Sequence, residues 1–355
     1  MKQQQHTVDA TALDDFDEIV DVRSPAEFIV DHVPGAVNCP VLDDEERARV
    51  GTLYKQVSSF EARKIGAALV AKNIARHIDL HFGSRNERWK PLIYCWRGGK
   101  RSSSMAHVLR EIGWNAATLA GGYQSFRRTV LSQLEQLPSR FEYRVVCGPT
   151  GSGKSRLLQA LARHGAQVLD LELLAEHRGS VLGDLPRITQ PSQKLFESRL
   201  WHALRRLRHG MPVFVEAESS KIGNLRIPER LLERMRDSVC IRMDVPVAER
   251  VRFLVAEYGH FLAEPGWLKV KLERLASLHS SATVARWHTL IDAGEWEPLV
   301  RDLLHVHYDP AYARSMHTNY VGLAHAHAID LARLEEKEFT RAVSSLCKEH
   351  HVSTA

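Results

Sequence analysis

Val145-Val146-Cys147-Gly148-Pro149-Thr150-Gly151-Ser152-Gly153-Lys154-Ser155 is the stretch that decides the architecture. An apolar run from Tyr143 to Cys147 feeds a glycine-rich turn, which opens into the helical pattern Arg156-Leu157-Leu158-Gln159-Ala160-Leu161-Ala162. This is G-x-x-x-x-G-K-S with a strand before it and a helix after it, the setting in which that spacing wraps a phosphate. The glycines let successive backbone N–H groups turn inward around an oxyanion. Lys154 adds a point charge, Ser155 a hydroxyl suited to Mg²⁺, and the helix N-terminus its positive end. Gly148, Pro149, Thr150, Gly151, Ser152, Gly153, Lys154 and Ser155 are therefore the expected diphosphate-binding set. On these residues alone the ligand is a diphosphate or a triphosphate.

Downstream, strands from Gln167 to Leu171, Pro212 to Val215 and Val239 to Met243 alternate with helical stretches from Ser192 to His209 and Pro228 to Arg236. That is a parallel α/β pattern. Past Val213-Phe214-Val215, where an ATPase of this type carries an aspartate, the chain has Glu216 and Glu218, and Asp170 ends the neighbouring strand. These three are the candidate carboxylates for Mg²⁺ or for orienting a substrate. Beyond Pro246 the pattern is helical, with no strand expected.

Upstream, a short strand Glu18 to Val22 is followed by a turn through His32-Val33-Pro34-Gly35-Ala36 and an amphipathic helix from Ser59 to His81, with Phe60, Ile65, Leu69, Ile74 and Ile78 on one face. A strand Leu92-Ile93-Tyr94 then delivers Cys95 into Cys95-Trp96-Arg97-Gly98-Gly99-Lys100-Arg101-Ser102, where Ser102 is expected to cap a helix through Ile112. A cysteine at that position faces backbone N–H groups, a helix N-terminus and the cations Arg97, Lys100 and Arg101, all of which favour thiolate. Cys95 is the candidate nucleophile, and Trp96, Arg97, Gly98, Gly99, Lys100, Arg101 and Ser102 form its anion cradle. The C-x-x-x-x-x-R spacing suits both cysteine phosphatases and sulfurtransferases.

The flanking residues choose between them. Asp21-Val22-Arg23-Ser24-Pro25-Ala26-Glu27-Phe28, then His32-Val33-Pro34-Gly35-Ala36, then Gly121-Gly122-Tyr123 resemble the ordered landmarks of a rhodanese domain, and Tyr94 stands where a phosphatase has histidine. The Cys-to-Arg spacing is one residue longer than in many small rhodaneses, which widens the cradle. A rhodanese domain ahead of a phosphate-loop domain resembles the tRNA 2-selenouridine synthase family. So do Glu46-Arg47-Ala48-Arg49-Val50-Gly51-Thr52-Leu53-Tyr54-Lys55-Gln56, Asp170-Leu171-Glu172, His177-Arg178-Gly179-Ser180 and Gln190-Pro191-Ser192-Gln193-Lys194-Leu195-Phe196-Glu197. The resemblance implies replacement of sulfur by selenium at C2 of a wobble 2-thiouridine in tRNA, with selenophosphate as donor and an S-geranylated intermediate made from geranyl diphosphate. On that basis Cys95 handles selenium, as a perselenide or by steering selenophosphate.

The expected fold class is α/β: a rhodanese-like domain over residues 1–138, a phosphate-loop parallel-sheet core over 139–245, and a helical C-terminal extension of that core over 246–355. With 355 residues, 44% hydrophobic and 26% charged, the chain is long enough for two or three cores. A net charge of +5 favours acidic partners without a basic arm. Arg199, Arg205, Arg206 and Arg208, interleaved with Trp201 and His202, are candidate tRNA contacts; the competing reading is a solvated amphipathic helix with Leu200, Leu204 and Leu207 inward. The cysteines Cys39, Cys95, Cys147, Cys240 and Cys347 lack C-x-x-C spacing. His325-Ala326-His327 and His350-His351 have no carboxylate or cysteine at ligand spacing. The expectation is thus no tightly bound cofactor, with Mg²⁺ accompanying the diphosphate. The polar start Met1 to Gln5 and the lack of a long apolar run lead to the expectation of a cytoplasmic protein with no membrane partner. Two rival functions fit the same loops: an ATP-dependent kinase or ATPase fused to a sulfurtransferase, and a non-enzymatic persulfide carrier.

Overall fold

The computed structural model describes residues 6–349. The polar start and the pair His350-His351 lie outside the described residues. The chain forms two units, each built on its own parallel five-stranded sheet. One comprises the described residues up to Gln133 together with Ser192–His202; the other comprises Leu134–Pro191 and the described residues from Ala203 onward.

The first unit contains β1 (Thr7–Val8), β2 (Glu18–Asp21), β3 (Val37–Asn38), β4 (Pro91–Tyr94) and β5 (Ala117–Leu119), in the order β1-β5-β4-β2-β3. β4 is buried at every residue, as an apolar run in the middle of a parallel sheet should be. The helix Lys100–Ile112 lays Met105, Ala106 and Leu109 against Val20 and Ile93, so the turn between β4 and this helix is fixed from below. The helix expected over Ser59 to His81 runs Ser59–His77 and continues as a π turn, Ile78–Phe82. Phe60 departs from its expected inner face: it lies in the first turn and is 65% exposed.

The second unit holds β6 (Tyr143–Cys147), β7 (Gln167–Leu169), β8 (Val213–Glu216), a small antiparallel hairpin β9 (Lys221–Ile222) and β10 (Leu225–Arg226), then β11 (Val239–Asp244) and β12 (His327–Asp330). The main sheet runs β12-β11-β6-β8-β7, with β6 in the middle, delivering the phosphate loop from its C-terminal end. β12 corrects the expectation of no strand past Pro246. It pairs in parallel with β11 from Ile241–His327 to Asp244–Asp330, yet buries only Ile329, so no alternation marks it in the sequence. The C-terminal helix Glu336–Glu349 sends Phe339, Val343 and Leu346 onto Leu157 and Leu161 of the helix Lys154–Arg163. Among the described residues, no helix is long and apolar enough to cross a membrane.

Candidate active site

In the first unit, Cys95 leaves β4 directly into the loop that Gly99, rather than the expected Ser102, closes as N-cap of the next helix; Ser102 lies within the first turn, its hydroxyl turned back to the loop. Its sulfur is buried and accepts hydrogen bonds from the Gly99 amide and the Ser102 hydroxyl, each at 3.2 Å. Burial disfavours the charged sulfur, but the Ser102 hydroxyl and the amides of Ser102, Arg97 and Gly99 outweigh it, so the thiol sits below its ordinary value. Of the expected causes, the backbone N–H groups lower the thiol, joined by the Ser102 hydroxyl, and the three cations are not among them. Arg101 is engaged elsewhere, pairing with Glu27 at 3.2 Å, while Arg97 and Lys100 are exposed.

The turn Gly121-Gly122-Tyr123 locks this loop. The Tyr123 amide donates to the Cys95 carbonyl at 2.8 Å, and the Tyr123 and Trp96 rings lie 5.1 Å apart. Gly122 has φ +58°, and a Cβ there would stand 2.2 Å from the Cys95 carbonyl oxygen, so only glycine permits the two turns to touch. Beneath them, buried Arg23 pairs with Asp21 at 2.5 Å and covers the Tyr123 ring, whose hydroxyl donates to Asp31 at 2.9 Å. Asp21 and Arg23, from the first of the landmarks that resemble a rhodanese domain, are thus linked through Tyr123, from the last, to the backbone of Cys95.

In the second unit, the Lys154 ammonium donates to the Gly148 carbonyl at 3.0 Å, spanning the phosphate loop. Ser155 Oγ lies 3.1 Å from Glu172 and 3.5 Å from Glu216. Glu172, Glu216 and Glu218 bring one oxygen each within 4.8 Å of one another. Asp170 is not of this group: its carboxylate caps the helix Leu171–Ala175 by accepting the Leu173 amide at 2.8 Å. Glu172, the second residue of that helix, joins Glu216 and Glu218 instead. Glu216 is wholly buried, and its Oε1 has no protein partner. Gly179, at φ +72°, closes over the same oxygens; a Cβ there would meet Glu172 at 2.8 Å and Glu218 at 3.2 Å.

Burial raises all three carboxylates. Burial, reinforced by Glu172, raises Glu218 to about 8 against the opposing charge of Lys154. Burial and then Glu172 and Glu218 push Glu216 well above the usual carboxylate range, and burial raises Glu172 as well. The residues fit a divalent cation: the Ser155 hydroxyl and three carboxylates, one of them with an orphaned buried oxygen, lie together. Without a cation, the folded cluster keeps protons that the unfolded chain has released, so stability falls as pH rises from the ordinary 4.5 toward about 8. Mg²⁺ competes with those protons. Its stabilisation in thermal unfolding is therefore expected to be small near about pH 6 and to grow by about pH 8.5; an Mg²⁺ effect that is flat with pH would contradict the assignment.

A cleft of about 740 Å³ surrounds this point, lined by the phosphate loop, the three glutamates and Arg178, Gly179, Tyr258 and Tyr308. An apolar pocket of about 70 Å³ adjoins it, sharing Thr150, Ser180, Leu254, Tyr258 and Tyr308 and continuing to Phe261, Leu268, Leu299 and Leu303. Arg250 braces the edge, donating to the Thr150 carbonyl at 2.9 Å while paired with Asp309.

The proposed RNA-binding arginines are less coherent. Trp201 is fully buried, edge-on to Phe126, with its indole N–H donating to Gln133 at 2.7 Å, and so presents no stacking face. The helix itself is Gln193–Arg205, shorter than expected, and Arg199 belongs to the first unit while Arg205, Arg206 and Arg208 belong to the second. Arg199 and Arg205 are half-buried; Arg206 and Arg208 are exposed.

Residues 141–271 match the family model described as the tRNA 2-selenouridine synthase AAA domain, and residues 4–129 match the rhodanese-like domain. A tRNA 2-selenouridine synthase of Aeromonas salmonicida is 36% identical over 261 residues, covering 70% of this chain and 69% of that one. The chain belongs to the tRNA 2-selenouridine synthase family. A synthase of Nitrosomonas europaea is 38% identical over 251 residues, 68% of this chain, and the match spans 63% of that protein's length. One from Bdellovibrio bacteriovorus is 37% identical, with 64% of its length covered. Within this family member, the sequence reading left Glu172, Arg178, Gly179 and Ser180 without roles. They were visible only as parts of Asp170-Leu171-Glu172 and His177-Arg178-Gly179-Ser180. The apolar pocket gave no local signal, because its walls come from separate helices.

Proposed function

We propose that this chain replaces sulfur by selenium at C2 of a wobble 2-thiouridine in tRNA, with geranyl diphosphate and selenophosphate as co-substrates. The observation that carries the reading is the apolar pocket continuous with the phosphate cleft. An apolar wall beside a phosphate cleft suits a ligand with a diphosphate head and an apolar tail. The volume is about half that of a cavity known to admit a six-carbon ring, ~150 Å³, which suits the end of a short chain.

The chemistry accounts for two anion sites in one chain. The thiocarbonyl sulfur attacks C1 of geranyl diphosphate, the C–O bond breaks, and diphosphate leaves. Gly148 to Ser155 hold that diphosphate, with Lys154 facing the charge that develops on it. Ser155, Glu172, Glu216 and Glu218 would hold Mg²⁺, which when bound neutralises part of the diphosphate charge. S-alkylation turns a poor leaving sulfur into geranyl thiolate. A selenium nucleophile then adds at C2 and expels it; with selenophosphate as donor, water removes the phosphoryl group as phosphate. Cys95, held toward thiolate by Ser102 and the loop amides, handles the selenium.

Nucleoside mass spectrometry of thiolated tRNA incubated with the chain and both co-substrates tests this. S-geranyl-2-thiouridine and 2-selenouridine are expected. Unchanged 2-thiouridine would favour the carrier, and ATP turnover stimulated by tRNA would favour the kinase.

A further inference from the structure

The helix Asp44–Gln56 has no buried residue, although it packs beside the helix Ser59–His77. The pair touch where Val50 meets Gly66; a Cβ on Gly66 would lie 3.3 Å from Val50. Most residues around the connecting turn are exposed, Leu53 and Ser58 being half-buried. Tyr54 is 60% exposed, Val57 70% and Phe60 65%, which puts two aromatic rings in water on either side of the turn. Packing does not explain them.

Charge separates along the same hairpin. Asp43 and Glu46 form a capping box at the start of the first helix, where acids complement the helix dipole. From residue 47 to residue 64 the chain carries Arg47, Arg49, Lys55, Arg63 and Lys64 against the single acid Glu61. Glu61 pairs with Lys64, and Arg47 pairs with Glu27. Arg49 and Lys55 make no ion pair among the described residues. Exposed rings interleaved with unpaired cations are what single-stranded nucleic acid recognises, through stacking and phosphate neutralisation. A protein partner would be served by the apolar groups but not by the excess of cations.

The hairpin also connects to the thiol loop. Glu27 accepts from Arg47 at 2.8 Å and from Arg101 at 3.2 Å, so one carboxylate joins the hairpin to the cradle of Cys95.

We propose that this hairpin is an RNA-docking surface, on which Tyr54 and Phe60 stack unpaired bases while Arg49, Lys55 and Arg63 meet the backbone phosphates. It rests on the reading that the chain acts on tRNA, and replaces the Trp201 helix as the aromatic element of that contact.

The test uses the full chain and a fluorescent anticodon stem–loop RNA bearing 2-thiouridine, titrated at several salt concentrations. Tyr54→Ala and Phe60→Ala are each expected to weaken binding about tenfold. Arg49→Ala and Lys55→Ala should each flatten the slope of log affinity against log salt by about 0.7. All four side chains are exposed, so thermal unfolding should be unchanged. Wild-type binding that survives these substitutions overturns the inference and leaves the tRNA reading standing. Absence of any RNA binding by the wild-type chain sinks both. A wild-type dimer that Tyr54→Ala and Phe60→Ala dissociate, seen by light scattering with RNA affinity unmoved, would assign the surface to a second copy instead.

Discussion

Lys154→Ala stops geranyl transfer: in a timed assay on thiolated tRNA, S-geranyl-2-thiouridine is expected to form at least about 10²-fold more slowly. Lys154 is the cation that opposes the charges of Glu172, Glu216 and Glu218, and its ammonium already spans the phosphate loop to Gly148. Removing it takes away the side-chain cation of the phosphate loop that faces the charge developing on the departing diphosphate. The substitution falls at the first position of the helix Lys154–Arg163, where alanine is well tolerated, so the melting curve should be retained. Undiminished geranyl transfer by this variant would refute the diphosphate assignment.

Cys95→Ala divides the reaction at the other step. The S-geranyl nucleoside is expected to accumulate at the wild-type rate, with no 2-selenouridine formed. The fold around the deletion should hold, because Ser102 still donates to the Gly99 carbonyl at 3.0 Å and Tyr123 still donates to the backbone of residue 95 at 2.8 Å. The phosphate loop belongs to the other unit and keeps its own hydrogen bonds. Selenouridine appearing in this variant would remove the cysteine from the chemistry, and loss of geranylation would show that the two steps are not separable in this way.

How much of this could be read in the chain depends on how local the cause is. The phosphate loop and the thiol loop were legible because each is a strand, a turn and a helix within about a dozen residues, with the turn glycines written in sequence. Gly121-Gly122 was legible as a landmark, but its reason, a backbone contact with Cys95 across 27 residues of chain, is visible only in three dimensions. Asp170 and Glu172 both stand near a strand end; Asp170 lines the cleft but its carboxylate is taken up by helix capping, and Glu172 is the one that joins Glu216 and Glu218. Trp201 sits among arginines in sequence, and burial against Phe126 decides its role. β12 carries one buried side chain and no pattern. The apolar pocket draws on residues from Thr150 to Tyr308, far too dispersed for any motif.

The central claim is that prenylation precedes and enables selenation. The most direct measurement is the yield of 2-selenouridine in thiolated tRNA given the chain and selenophosphate, with geranyl diphosphate present or withheld. The account predicts selenouridine only when geranyl diphosphate is present, with the S-geranyl nucleoside rising first and falling as selenouridine appears. Equal yields with and without geranyl diphosphate would contradict it.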